Sequence, residues 1–180
     1  MALAETRVSG ETKYKGIIVD VTVDEVTLSD GTPARREVVH HPGGVTVLPL
    51  DEDGCVIMVR QWRYPMAEEV LELPAGKLEP GEDPAAAGLR ELKEETGYTC
   101  GRYEPLGVLY ATPGYCSEKL HLFLARDLVP GDACPDQGEL LNLERYPLER
   151  VVEMVLRDEI HDAKTAAAVL KTWILLESEK

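Results

Sequence analysis

The sequence predicts an α+β fold: an α/β/α layered domain preceded by a small β-rich segment. Three observations carry that prediction. Short strand-like runs alternate with helical stretches along the chain. Asp83 and Pro84 supply a helix cap and a first-turn proline, and Gly97 stands where that helix must stop. A chain of 180 residues with 44% hydrophobic and 29% charged residues can bury one substantial core and is too apolar to stay disordered.

The elements follow in order. Residues 1–43 read as a β-rich segment, in which YKGIIVDVTVDEVTL and ARREVVHH flank SDGTP, and Asp30-Gly31 signals a chain reversal. A two-stranded hairpin is marginal by itself, so this segment is expected to pack on the main body or on another copy of the chain. Residues 44–180 make the main domain. Residues 44–50 and CVIMVRQWR (55–63) read as strands joined by the acidic turn Asp51-Glu52-Asp53-Gly54. EVLELP is a short strand, and a helix runs from Asp83-Pro84 to about Thr96. YEPLGVLYATPG, KLHLFLARDL and ELLNLERYPL are further strands. Residues 147–157 and 163–177 are helices, the last with Ala167, Leu170 and Ile174 on one face.

Charge narrows the range of partners. With 19 Lys and Arg against 33 Asp and Glu, the net charge of −14 argues against nucleic acid and against an anionic membrane. No apolar run reaches the ~18 to 20 residues that span a bilayer. MALAETRVSGETKYKG lacks the apolar core of a signal peptide, so a cytoplasmic location is expected. Cys55, Cys100, Cys116 and Cys134 form no CxxC pair and read as reduced structural thiols.

The chemistry concentrates in GKLEPGEDPAAAGLRELKEETGY, residues 76–98. Glu91 and Glu95 lie one turn apart on the same helical face, with Glu94 beside it. Like charges so placed cost a helix a few tenths of a kcal/mol per pair, and a cation between them reverses that cost. Three carboxylates suit a hard divalent ion, Mg²⁺ above all, which binds through a few carboxylates plus substrate phosphates. A surface helix that merely solvates itself needs no such pattern. Gly76, Glu82, Arg90-Glu91-Leu92, Glu94-Glu95 and Gly97 at these spacings arise by chance at roughly one in 10⁸ starting points.

This stretch resembles the Nudix box, the signature of hydrolases that cleave nucleoside diphosphates linked to another group. Every specified position matches except Tyr98, which stands where a bulky aliphatic is usual. The box covers about an eighth of the chain, and it is far more specific for the family than for the substrate. The resemblance implies a Nudix α/β/α sandwich with a mixed sheet. It implies Glu91, Glu95 and Glu94 as metal ligands, Glu94 doubling as a proton-handling group, and the Ala75 carbonyl as a further ligand. Arg90 would orient the glutamates, with Glu82 its partner. Gly76 and Gly81 would let the loop fold back. The metal would be Mg²⁺, with Mn²⁺ as a substitute.

Outside the box the chain resembles the ADP-ribose pyrophosphatase branch. VRQWRYP (59–65) before LELPAGKLEPGE, ATPGYCSEKLHLFLA (111–125) and LRDEIHDAKTAAAVL (156–170) carry the likeness, and Pro113 lies 15 residues beyond the box, where that branch has a marker proline. The implied reaction is hydrolysis of ADP-ribose to AMP and ribose 5-phosphate. The alternatives are the same chemistry on a GDP-sugar, a dinucleotide coenzyme or a flavin dinucleotide, and a non-catalytic ADP-ribose-binding module. Arg63 suits a substrate phosphate, while Trp62 reads as core or interface packing. Arg36 is either a phosphate ligand reaching across a dimer or a solvated strand arginine. Glu118 is either a contact to ribose or metal-bound water, or a surface residue. The branch takes its general base from a loop outside the box, which here is PDQGELLNLERYPL. Glu139 is the first choice for that base, with Glu144 and then Glu94 behind it. In this group the N-terminal segment is commonly exchanged between subunits, and a symmetric homodimer is expected.

Overall fold

The computed structural model describes residues 3–135, 138 and 140–179. They divide into two compact units, Met1–Gly43 with Tyr110–Lys119, and Gly44–Leu109 with Leu120–Lys180.

The first unit is built on an antiparallel sheet of β1 (Glu5–Lys15), β2 (Asp20–Leu28) and β3 (Pro33–His40), with β2 in the middle. The β2–β3 reversal is the one legible from Asp30-Gly31: Gly31 adopts φ 86°, and the Asp30 carboxylate accepts from the Thr32 amide at 2.9 Å. A second reversal at Gly16, whose amide donates to Val19 O at 3.0 Å, splits the segment that reads as one strand from Tyr14 to Leu28. The sheet therefore has three strands where the sequence shows two. All eleven residues of β1 are exposed, so no buried face marks it with a polar–apolar alternation. The 110–119 segment returns to β3, where Val39 N donates to Tyr115 O at 2.7 Å and Ser117 N to Val39 O at 2.9 Å.

The second unit follows the order β4 (Gly44–Pro49), β5 (Cys55–Arg63), β6 (Glu68–Glu72), β7 (Ala75–Lys77), α1 (Pro84–Thr96), β8 (Thr99–Tyr110), β9 (Lys119–Val129), β10 (Leu141–Pro147), α2 (Leu148–Leu156) and α3 (Ala163–Ser178). β4 and β5 are neighbours in sequence yet enter different sheets, β7-β4-β9-β8 and β10-β5-β6. β4 runs antiparallel to β7 and parallel to β9, so its sheet is mixed. Successive side chains on a strand point to opposite faces, and β4 uses both. Val45 and Val47 meet Ala87 and Leu92 of α1, together with Phe123 and Ala125 of β9. Leu48 faces the larger cluster with Met58, Leu73, Leu122 and Leu124, closed by Val151 of α2 and Val169 of α3. Helices thus cover both faces, the α/β/α arrangement expected. Leu92 is fully buried, and cutting it to alanine costs about 2–5 kcal/mol.

α1 begins and ends where its sequence says. The Asp83 carboxylate accepts from Ala86 N at 3.0 Å, and Gly97, at φ 77°, donates its amide to Lys93 O at 2.9 Å. α2 and α3 fall within a residue of the expected spans. No described helix is long and apolar enough to cross a membrane.

Candidate active site

β7 is three residues long, and it fixes the backbone that the α1 glutamates meet. Ala75 pairs with Thr46, Gly76 with Val45 and Lys77 with Gly44 of β4. The preceding Pro74 carbonyl accepts from Val47 N at 2.9 Å. Against this edge lie the two glutamates one helical turn apart. The Glu95 side chain is buried, and its Oε2 accepts from Ala75 N at 3.1 Å. Glu91 rests on Gly76 so closely that a methyl group there would stand 1.9 Å from Glu91 Oε1. Gly76 is therefore required by close approach. Gly81, at φ 79° with open space around its α-carbon, is required by backbone conformation instead.

Arg90 gathers three carboxylates. Its Nε and Nη2 form a fork with Glu82 at 3.0 and 3.2 Å, while Nη1 reaches Glu91 Oε1 at 2.7 Å and Glu94 Oε2 at 2.8 Å. The Glu82 pairing is the one the resemblance implies. Glu82 also accepts from Glu79 N at 2.9 Å, which closes the loop. The Arg90 guanidinium, and then the Glu79 amide, hold the Glu82 carboxyl below the usual carboxylate range. The hydrogen bond to Glu82 leads the contributions that raise Arg90 above its already high value. A single cation thus offsets the repulsion along the helix.

The donor set tests the metal reading. Residues 75–98 contain no His or Cys, so every side-chain donor is a carboxylate oxygen, which fits a hard divalent ion rather than zinc. Glu91 meets Gly76 and Glu95 meets the adjacent Ala75, so the two carboxylates face neighbouring backbone residues. In an extended strand the N–H and C=O of one residue point to the same edge, so the Ala75 carbonyl lies on the side its amide offers to Glu95. Among the described residues, no three His, Cys, Asp or Glu side chains form a ready-made metal cage. Arg90 draws Glu91 and Glu94 toward itself, and the Ala75 amide draws Glu95.

The structure thus brings Ala75, Arg90, Glu91, Glu94 and Glu95 together. Arg63 joins them at longer range: Glu95 is among the carboxylates whose charge raises its pKa, after the hydrogen-bonded Glu72. Its guanidinium forks onto the buried Glu72 carboxylate at 2.6 and 2.7 Å. Trp62 is 59% exposed and is not part of the core. Arg36, Pro113 and Glu118 belong to the other unit. There Arg36 forks onto Glu5 at 2.9 and 2.6 Å, and Glu118 stands 3.5 Å from His41 Nδ1. Pro113 is exposed in a turn whose Cys116 amide donates to Thr112 O at 3.0 Å. Glu139 lies outside the described residues. Glu144 is committed to Arg60 and to the Tyr146 hydroxyl, and the Arg60 pairing lowers its pKa. That is the wrong direction for a base.

A second cluster was not anticipated from sequence. Glu72, 1% exposed, is shared by Arg63 and Lys164, and Lys164 also reaches Asp162 at 2.7 Å. Two signals point to it. A glutamate interrupts the apolar run Val70-Leu71-Leu73, and a lysine sits in the first turn of α3, where the helix dipole disfavours a cation.

The NUDIX domain family model matches residues 40–169. The ADP-ribose pyrophosphatase of Bacillus subtilis (strain 168) is 39% identical over 93% of this chain and 92% of its own length. The methanol dehydrogenase activator of Bacillus methanolicus is 38% identical over 92% and 90%. A crystal structure of an ADP compounds hydrolase superposes with a TM-score of 0.86 at 24% identity, covering 99% of this chain and 98% of that one. That last likeness concerns the fold.

Proposed function

The chain belongs to the NUDIX family, and on that premise we propose that it hydrolyses the diphosphate bond of ADP-ribose, giving AMP and ribose 5-phosphate, with Mg²⁺ as cofactor and Mn²⁺ as a substitute. The observation that carries the reading is the seating of Glu91 and Glu95 on Gly76 and Ala75, in a chain whose relative over nearly its full length is an ADP-ribose pyrophosphatase.

Glu91, Glu94, Glu95 and the Ala75 carbonyl would hold the divalent ion. When bound, such an ion neutralises diphosphate charge and lowers the pKa of water. Arg90 keeps the three glutamates oriented and moderates their mutual repulsion. Arg63 presents the guanidinium nitrogen left outside its fork with Glu72 to a substrate phosphate. Glu139 is the proposed general base that takes the proton from the attacking water, with Glu94 the candidate of α1 itself. Arg36 is proposed as a phosphate ligand reaching across the dimer, Glu118 as a contact to ribose or metal-bound water, and Pro113 as the residue that shapes its own substrate-binding loop. The assembly is a homodimer in which the N-terminal sheet meets a second copy, and the enzyme works in the cytoplasm.

A hydrolysis screen across nucleoside diphosphate derivatives, with and without Mg²⁺, tests the proposal. ADP-ribose should show the highest kcat/KM, and chelation should abolish turnover. A strong preference for a GDP-sugar would displace the substrate and keep the chemistry; no metal-dependent turnover of any of them would reject both.

A further inference from the structure

The Glu72 cluster lies just ahead of β7. Glu72 carries a formal charge on a side chain that is 2% exposed, and it is met by the Arg63 fork and by the Lys164 ammonium, itself 13% exposed. Lys164 is shared with Asp162. The other oxygen of Asp162 caps α3, accepting from Thr165 N at 2.9 Å and from Thr165 Oγ1 at 2.5 Å. Thr165 Oγ1 in turn accepts from Leu73 N at 2.9 Å. Two consecutive residues, Glu72 by its side chain and Leu73 by its backbone, are therefore tied to the first turn of a helix about 90 residues further along the chain.

Three residues on, Ala75 gives its amide to Glu95. Only Leu73 and Pro74 separate β6 from β7, and the two ends of this link are held by α3 and α1. Four charges, two of each sign, balance within the cluster. Removing one partner of a buried pair leaves the other uncompensated, which costs far more than the pair contributes. Loss of Lys164 leaves Glu72 and Asp162 facing Arg63 alone. Arg63 must then turn from the site toward the excess negative charge, or the Glu72–Leu73 segment must move toward water. Either change shifts Ala75 and Gly76 against Glu91 and Glu95.

We infer that Lys164 is a positioning residue of the active site: through Glu72 it holds both Arg63 and the β7 backbone in register with the glutamates of α1. The inference rests on the hydrolase reading above for its activity arm but not for its binding arm.

The test compares the full chain with Lys164→Met, Lys164→Arg and the double variant Glu72→Gln/Lys164→Met, which removes one charge of each sign. Each is titrated with Mn²⁺ alone, assayed with ADP-ribose, and melted to establish the folded fraction. Lys164→Met should weaken Mn²⁺ binding and lower kcat by about tenfold or more, as expected for a group that orients metal ligands from behind. Lys164→Arg should keep both within about threefold, and the double variant should recover part of the loss. Wild-type Mn²⁺ affinity in folded Lys164→Met overturns the inference, whatever its melting temperature. A parent chain that binds Mn²⁺ yet cleaves no nucleoside diphosphate overturns the hydrolase reading instead, and the affinities then decide the role of Lys164.

Discussion

Glu91 and Gly76 illustrate how one side chain can dictate another residue's identity. A methyl at Gly76 would meet the far end of a flexible side chain rather than backbone, so Gly76→Ala should displace the Glu91 carboxylate at little cost in stability. Its melting temperature should change by a few degrees at most, while affinity for Mn²⁺ and kcat fall together; unchanged affinity would show that Glu91 does not need its seat. Glu139→Gln should lower kcat by about 10²- to 10⁴-fold, the usual range for a lost general base, and near-normal kcat rejects that role. Glu72 makes a prediction in pH. Burial pushes its pKa up, but the Arg63 fork and the Lys164 charge outweigh burial and hold it below 4.5. A carboxyl depressed in the folded state contributes stability that is complete above its unfolded pKa and is lost as pH falls through the folded one. The difference in unfolding free energy between the parent and Glu72→Gln should therefore be largest near neutral pH and shrink below pH 4.5. A gap that widens on acidification contradicts the assignment. Whereas the role of Arg90 comes with the resemblance of the box, the three glutamates of α1 could be placed from spacing, because helical periodicity sets their face. The link from Glu72 to Lys164 could not, because it joins residues 92 positions apart that no local pattern relates.

Elements with a local stop signal were legible, and those held by distant partners were not. α1 has a carboxylate cap, a proline behind it and a left-handed glycine at its end. Asp83→Ala should cost about 0.5–2 kcal/mol in a denaturant titration. Gly97→Ala should cost more than about 1 kcal/mol, because its φ of 77° disfavours any other residue and the added carbon would stand 2.4 Å from Gly131 O. A loss below a few tenths of a kcal/mol for either would mean that tertiary packing alone sets the helix ends. β7 shows the opposite case. Three residues carry no period, and its pairing exists only because β4 lies alongside. β1 fails to announce itself for a different reason: exposed on both faces, it offers no hydrophobic rhythm.

Across the molecule, a net charge of −14 sits beside a site meant for an anionic substrate, so turnover should depend on the divalent ion far more steeply than on monovalent salt. The N-terminal sheet leaves Val8 and Tyr14 exposed, and its β1–β2 turn leaves Ile17 and Ile18 exposed. Sedimentation should find a dimer, and an active monomer would reject the expected assembly. The placement of β4 also bears on how the chain comes off the ribosome. Its two sheet partners are the strands beginning at Ala75 and Lys119, so it waits for most of the polypeptide before its amides are satisfied. Contacts that close such long loops form slowly. α1 can coil while synthesis continues, but a nascent chain halted before β9 would carry the acidic helix without a finished sheet behind it, and competence for catalysis would arrive late in translation and all at once.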